Sequence, residues 1–217
     1  MNGVNFVANV SLGTVPKSWN IVGSGDFNGD GQADILWQNT SGSRCIWLMN
    51  GTTYVNTVSL GTVDNHWNIV GSGDFNGDGK ADILWQNTSG ARSIWLMNGT
   101  TYASSVSLGT VDYHWDIVGS GDFNGDGKAD ILWQNTATGE RSIWLMNGTV
   151  RASIVSLGIV DKHWNIVGSA DFNGDGKTDI LWQNTSGARS IWLMNGTVYS
   201  SSASLGNVPT VWDIRNY

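Results

Sequence analysis

Four stretches of this chain carry carboxylate and amide side chains at a spacing that suits a hard cation. Each reads D-x-N-x-D-G-x-x-D. The first holds Asp26, Asn28, Asp30, Gly31 and Asp34, and the second Asp74, Asn76, Asp78, Gly79 and Asp82. The third holds Asp122, Asn124, Asp126, Gly127 and Asp130, and the fourth Asp171, Asn173, Asp175, Gly176 and Asp179. Alternate spacing turns the side chains at positions 1, 3 and 5 toward one centre, and the glycine at position 6 permits the sharp turn. The backbone carbonyl at position 7 (Gln32, Lys80, Lys128 or Lys177) adds an oxygen, and the Asp at position 9 closes the far side. Three carboxylates and one amide favour calcium over zinc, which prefers His or Cys. The expectation is one calcium ion in each loop. The competing reading is an Asx-rich β-turn with no ion, in which three carboxylates repel one another across a few ångströms. A helical EF-hand is excluded, because its position 12 is a bidentate Glu. Here position 12 is Trp37, Trp85, Trp133 or Trp182.

The elements that must position these loops are set by a repeat. The segment Trp19–Val63 returns from Trp67, Trp115 and Trp164, in steps of 48, 48 and 49 residues. The extra residue lies in Ala137–Glu140, which replaces Ser89–Ala91 and marks an exposed turn. Each repeat holds four strand-like pieces. In the first repeat, Trp19–Phe27 alternates Trp, Ile, Gly, Gly and Phe on one face. Asp34–Thr40 places Ile35 and Trp37 on one side and Leu36 and Gln38 on the other. Arg44–Asn50 is apolar enough to be buried on both faces, and ends in the turn dipeptide Asn50-Gly51. Tyr54–Gly61 alternates again. No stretch sustains a helical period.

Four antiparallel strands in 40–50 residues is the length of a β-propeller blade. The sequence therefore predicts an all-β chain, a single β-propeller domain over residues 1–217. Its repeats span 19–66, 67–114, 115–163 and 164–211, giving four complete blades. The Gly- and Ser-rich first strand suits the crowded innermost position. Residues 1–18 resemble the end of a repeat and supply a spare terminal strand. Residues 212–217 begin a fifth first strand, so the two termini offer an incomplete fifth blade. The chain then closes as a small ring, or two chains complete one another as a homodimer.

The formal charge is −7, and 12 of the 18 acidic residues lie in the four loops. Four divalent cations would bring the net charge near +1, so the acidity speaks of metal. An acidic chain also argues against nucleic acid as a partner. No apolar run reaches the ~18 residues of a membrane span. No signal peptide opens the chain, and an extracellular or cell-surface location remains the expectation. The single cysteine, Cys45, takes the place of Ser93, Ser142 and Ser190 and makes no internal disulfide.

The run GDFNGDGKADILWQN, beginning at Gly73, resembles the VCBS and FG-GAP-like repeat family. Members are calcium-binding β-propellers, related in architecture to the integrin α-subunit head and to a seven-bladed fungal lectin. The resemblance spans nearly the whole chain, and implies that each acidic loop joins the innermost and second strands of a blade. It makes the sixteen Asp and Asn positions above the metal ligands and the ion a structural staple. The blade number departs from the seven common in the family.

Trp is the most unusual component, with 13 residues, 12 of them at three repeated places. Most fit blade-to-blade packing. Should one class be exposed as a sugar platform, the second-strand Trp37, Trp85, Trp133 and Trp182 are the choice, because Gln and Asn follow them. The recurrent Arg44, Arg92, Arg141 and Arg189 read as solvated edge-strand charges, or as ligands for an anion. His66, His114 and His163 precede a repeated Trp, and no G-x-S-x-G nucleophile accompanies them. The expectation is a binding module and not an enzyme, with glycans as partners. The alternative is a structural, adhesive or protein-interaction module.

Overall fold

Each repeat folds as one four-stranded antiparallel sheet in a computed structural model that describes residues 10–210. The first sheet holds β1 (Trp19–Gly25), β2 (Asp34–Asn39), β3 (Ser43–Asn50) and β4 (Thr53–Thr62). The second holds β5 (Trp67–Gly73), β6 (Asp82–Asn87), β7 (Ala91–Asn98) and β8 (Thr101–Thr110). The third holds β9 (Trp115–Gly121), β10 (Asp130–Asn135), β11 (Glu140–Asn147) and β12 (Val150–Ile159). The fourth holds β13 (Trp164–Ala170), β14 (Asp179–Asn184), β15 (Ala188–Asn195) and β16 (Val198–Asn207). Strands lie in sequence order within every sheet. This is an all-β chain of four β-propeller blades, numbered 1–4 below. The chain divides into two compact units, one holding blades 1 and 2 and the other blades 3 and 4. Residues 10–18 form no strand. The rest of the expected terminal strand, the closing strand at 212–217 and hence the fifth blade lie outside the described residues.

Local sequence explains the hairpins. The Asn50-Gly51 turn joins β3 to β4 with Gly51 at φ +59°, a conformation that a side chain disfavours. The β2–β3 pairing sets Leu36 opposite Ile46 and Gln38 opposite Arg44. The residues of one such row share one face of the sheet. Trp37, opposite Cys45, lies on the other.

The first strand departs from simple alternation. In β1 the register shifts between Ile21 and Gly23, so Ile21 opposes Trp37 while Gly23 opposes Leu36. One extra residue in one strand moves everything after it to the opposite face. The expected single face of Trp19, Ile21, Gly23 and Gly25 is thus split at Val22. The same shift recurs in β5, β9 and β13.

The core lies between neighbouring blades within each unit. Gln38, Arg44, Leu36 and Ile46 form what we call the trailing face of blade 1. Ile69, Ile83 and Trp85 occupy the leading face of blade 2, and all seven except the half-buried Gln38 are buried. The second unit repeats this with Leu132 and Ile143 packed on Ile166, Ile180 and Trp182. First strands approach closely: a Cβ on Gly23 would lie 2.9 Å from Ser72 Oγ, and one on Gly25 would lie 2.7 Å from Ala81 Cβ. Glycine is needed there because the next blade occupies the space.

Candidate metal loops and aromatic grooves

The bulged first strand delivers Asp26 into the turn between β1 and β2, and the turn folds around its carboxylate. Asp26 Oδ1 accepts from Gly29 N–H at 2.7 Å and Asp30 N–H at 3.1 Å, while Oδ2 accepts from Gly31 N–H at 2.7 Å. Asn28 Oδ1 accepts from Asp30 N–H, and Asp30 Oδ1 accepts from Gln32 N–H. The same set recurs around Asp74 with Asn76 and Asp78, around Asp122 with Asn124 and Asp126, and around Asp171 with Asn173 and Asp175. These bonds hold the Asp171 carboxyl below the usual carboxylate range, with the Gly176 N–H the largest cause.

The position-9 aspartates behave differently. Asp34, Asp82, Asp130 and Asp179 are fully buried. Asp82 Oδ2 accepts from Phe75 N–H at 3.0 Å and Oδ1 from Met97 N–H at 2.8 Å, which ties the loop to the third strand. Asp34 does the same with Phe27 and Met49, Asp130 with Phe123 and Met146, and Asp179 with Phe172 and Met194. Burial pushes the Asp82 and Asp130 carboxyls up to about 6, against the backbone hydrogen bonds, and the neighbouring loop aspartates push the same way. The position-7 side chains turn outward: Gln32 Nε2 donates to Asn50 Oδ1, Lys80 Nζ to Asn98 Oδ1, Lys128 Nζ to Asn147 Oδ1 and Lys177 Nζ to Asn195 Oδ1. Among the described residues, no three His, Cys, Asp or Glu side chains converge on one point. The loops have an all-oxygen donor set and a net negative charge, the chemistry a hard cation needs, but in this arrangement their carboxylates are not drawn to one point. Their carboxylates are also engaged by backbone N–H groups, as in an Asx-rich turn.

The tryptophans correct one expectation. The second-strand class, the choice should one class be exposed, is the most buried, in keeping with blade packing: Trp85, Trp133 and Trp182 are 1% exposed and Trp37 7%. The cause is the neighbouring blade together with the adjacent strand. Arg44 Cζ lies 5.6 Å over the Trp85 ring, and Trp95 meets Trp85 at 4.7 Å between centroids. Arg141 and Trp192 treat Trp182 alike. The half-buried tryptophans are those of the first strand and, in blades 1, 2 and 4, the third strand. In the third strand, Trp47, Trp95 and Trp192 carry an exposed tyrosine edge-on: Tyr54, Tyr102 and Tyr199. In blade 3 the tyrosine is replaced by Arg151, whose guanidinium sits 4.6 Å over Trp144.

The arginines correct another. Arg44, Arg92, Arg141 and Arg189 are buried, not solvated. Arg44 Nη2 donates to the Trp67 carbonyl at 2.9 Å, and Arg141 Nη2 to the Trp164 carbonyl at 2.7 Å. Burial lowers both guanidinium pKa values, that of Arg141 to about 10. The signal was available: Arg44 alternates with Ile46 and Leu48 on a strand expected to be buried on both sides. Gln38, expected to serve a sugar beside Trp37, instead bonds the next blade beside the arginine. Gln38 Nε2 donates to Asn68 Oδ1, while its Oε1 accepts from Ile69 N–H. His66 and His163 stand exposed, each bonded through Nδ1 to Asp64 or Asp161 two residues before it.

Among the described residues, equivalent grooves open beside blades 2 and 4. One, of about 220 Å³, is lined by Val63, Trp67, Trp85, Ser93, Trp95 and Ser105. The other, of about 450 Å³, is lined by Val160, Trp164, Trp182, Ser190, Trp192 and Ser204, with Ala188 and Arg189. Each gathers three indoles and two serine hydroxyls. Trp85 and Trp182 from the expected ligand set line these grooves, whereas Trp37 and Trp133 line neither.

Blades, acidic turn loops and interblade aromatics together define a repeat-built β-propeller protein. The family model for the FG-GAP-like repeat matches three times, over residues 26–85, 74–133 and 122–182, and the chain belongs to that family. No curated protein matches. Among solved structures, the chain is similar to the Tc holotoxin pore of Photorhabdus luminescens, with 14% identity and a TM-score of 0.41 over 89% of this chain and 12% of that one. It is also similar to a mercury-soaked complex of BBS1N with ARL6DN, with 13% identity and a TM-score of 0.45 over 85% of this chain and 53% of the other. The chain thus spans about half or less of the solved chains it matches. Among the described residues, no helix is long and apolar enough to cross a membrane.

Proposed function

We propose that this FG-GAP-repeat protein is a calcium-stabilised binding module that takes carbohydrate in the grooves between blades. The observation that carries the reading is the three-indole groove, found at equivalent places in both units. Indole rings offer flat apolar surface to the C–H faces of sugars, and the Ser93 and Ser190 hydroxyls, which donate to the Val106 and Ala203 carbonyls, can accept from sugar hydroxyls. The half-buried Trp67 and Trp95, and their equivalents Trp164 and Trp192, provide the stacking faces. Trp85 and Trp182 form the groove wall, because their own rings are engaged by Arg44 and Arg141. Repetition makes weak sites cooperate through multivalency. Such a module suits an extracellular or cell-surface setting.

Calcium holds the scaffold in this proposal. Asp26, Asn28 and Asp30 and their counterparts, with the position-7 carbonyl and the position-9 carboxylate, supply the oxygens, four ions per chain in all. An ion bound only by the folded chain stabilises it by mass action. The experiment is a titration of Trp fluorescence with neutral mono- and oligosaccharides, on wild type and on Trp95→Ala/Trp192→Ala. Saturable quenching in wild type and its loss in the variant support the reading; no response to any sugar sinks it.

A second reading, a protein-interaction or self-assembly module, is favoured by the outer strands. Exposed Tyr54, Val55, Ile154 and Val198 stud β4, β12 and β16.

A further inference from the structure

Each unit buries an arginine between its two blades and leaves its hydrogen bonding incomplete. Arg44 and Arg141 are both 1% exposed. Arg44 Nη1 donates to the Ser43 carbonyl at 3.3 Å and Nη2 to the Trp67 carbonyl at 2.9 Å. Arg141 repeats this with the Glu140 carbonyl at 3.2 Å and the Trp164 carbonyl at 2.7 Å. All four acceptors are neutral. Nε of each guanidinium is buried and has no hydrogen-bond partner. Gln38, the cross-strand neighbour of Arg44, turns its Oε1 to Ile69 N–H instead. Gln134, the neighbour of Arg141, turns its Oε1 to Ile166 N–H.

The charge is unanswered as well. Among the described residues, no carboxylate lies within ion-pair distance of Arg44 or Arg141. Burial moves both guanidinium groups down from their ordinary value, and no neighbouring charge moves them back. A guanidinium presents donors only and keeps its charge in proteins, and an unpaired buried charge is destabilising. The Trp85 and Trp182 rings offset part of that cost, each with an arginine Cζ 5.6 Å from its centroid. The same two side chains add a further donor, because Nε1 of Trp85 and of Trp182 is also buried without a hydrogen-bond partner. Each junction thus sets a cation and two orphaned N–H groups on neighbouring side chains, with no acceptor for either. Orphaned donors of this kind are answered in native proteins by water or an ion. The positive charge selects an anion over water. The surrounding core, Leu36, Ile46, Ile69 and Ile83 in the first unit, selects a small one.

We propose that each of these junctions binds one chloride-sized monovalent anion. In the first unit it accepts from Arg44 Nε and Trp85 Nε1, and in the second from Arg141 Nε and Trp182 Nε1. The anion balances the guanidinium and joins the trailing face of one blade to the leading face of the next. Bound by the folded chain alone, it stabilises the fold by mass action. This inference is independent of any sugar or calcium.

Crystals of the full chain grown with bromide as the sole halide test it, because bromide scatters anomalously and water does not. Wild type is expected to show an anomalous peak within hydrogen-bond reach of Arg44 Nε and another at Arg141 Nε. Arg44→Met keeps the side-chain bulk and removes the donor and the charge. It is expected to lose the first peak and keep the second, which also reports an intact fold; Arg141→Met, with the opposite outcome, replaces it if it does not fold. In solution, thermal melts compare sodium chloride with sodium gluconate at equal ionic strength and fixed calcium acetate. Wild type is expected to melt several degrees higher in chloride, and either methionine variant to show a smaller difference. Density at Nε without an anomalous signal would assign water and overturn the proposal. So would a peak that persists beside residue 44 in Arg44→Met, wild-type melts equal in the two salts, or a chloride effect undiminished in the folded variants.

Discussion

Replacing Asp82 by Ala separates what the acidic loops do as protein from what they do as ligands. The substitution leaves the N–H groups of Phe75 and Met97 without the acceptors they hold at 3.0 and 2.8 Å. Both residues are buried, and so is the carboxylate. An orphaned buried donor costs about 1–3 kcal/mol, so the pair costs about 2–6 kcal/mol. In a chain of this size that lowers the melting temperature by roughly 10 °C. Asp82→Asn keeps one acceptor oxygen and sheds the charge that burial and the neighbouring Asp78 and Asp74 disfavour, so it falls between wild type and Ala. The assay is chemical denaturation in excess chelator, repeated with calcium. The two hydrogen bonds predict that Asp82→Ala destabilises in both; the proposed calcium role adds a larger loss with calcium. Equal stability of wild type and Asp82→Ala in chelator would refute the clamp, and would leave the carboxylate as a ligand alone.

Other outcomes follow from the junctions. Arg141→Ala removes the donor to the Trp164 carbonyl and the cation over Trp182, and is expected to cost about 2–4 kcal/mol by denaturant melts. Arg141→Met keeps the packing and should recover much of that loss, because a buried charge is a poor stabiliser beside an apolar group of similar volume. Gly121→Val places a Cβ within 2.6 Å of Thr178, forcing blades 3 and 4 apart at a cost of about 1–3 kcal/mol. Thermal melts of wild type should rise on adding calcium and fall in chelator; identical melts would remove the ion from the account.

Much of this architecture was legible in the sequence because it is local. The 48-residue return, the four strand pieces, the Asn-Gly hairpins and the opposed faces of Ile35/Trp37 and Leu36/Gln38 all follow from short-range pattern. What was not legible depends on the next blade. Arg44 looks like an edge charge until Trp67 and Trp85, 23 and 41 residues onward, arrive to cover it. Trp85 looks like a free platform until the same arginine and Trp95 engage its ring. The bulge at Val22 was missed because Gly23-Ser24-Gly25, which follow it, carry little hydrophobic signal to show that the face has changed. The acidic loops were found from spacing alone. That the position-9 aspartate turns inward to bind strand backbone is a consequence of burial that spacing does not encode.

The most direct test of the central claim is a glycan array probed with the full chain in calcium, beside Trp95→Ala/Trp192→Ala and beside wild type in chelator. The account predicts selective binding by wild type, its loss in the folded tryptophan variant, and weaker binding in chelator in step with the lower melting temperature. Absence of glycan binding, or binding that the variant retains in full, would contradict it.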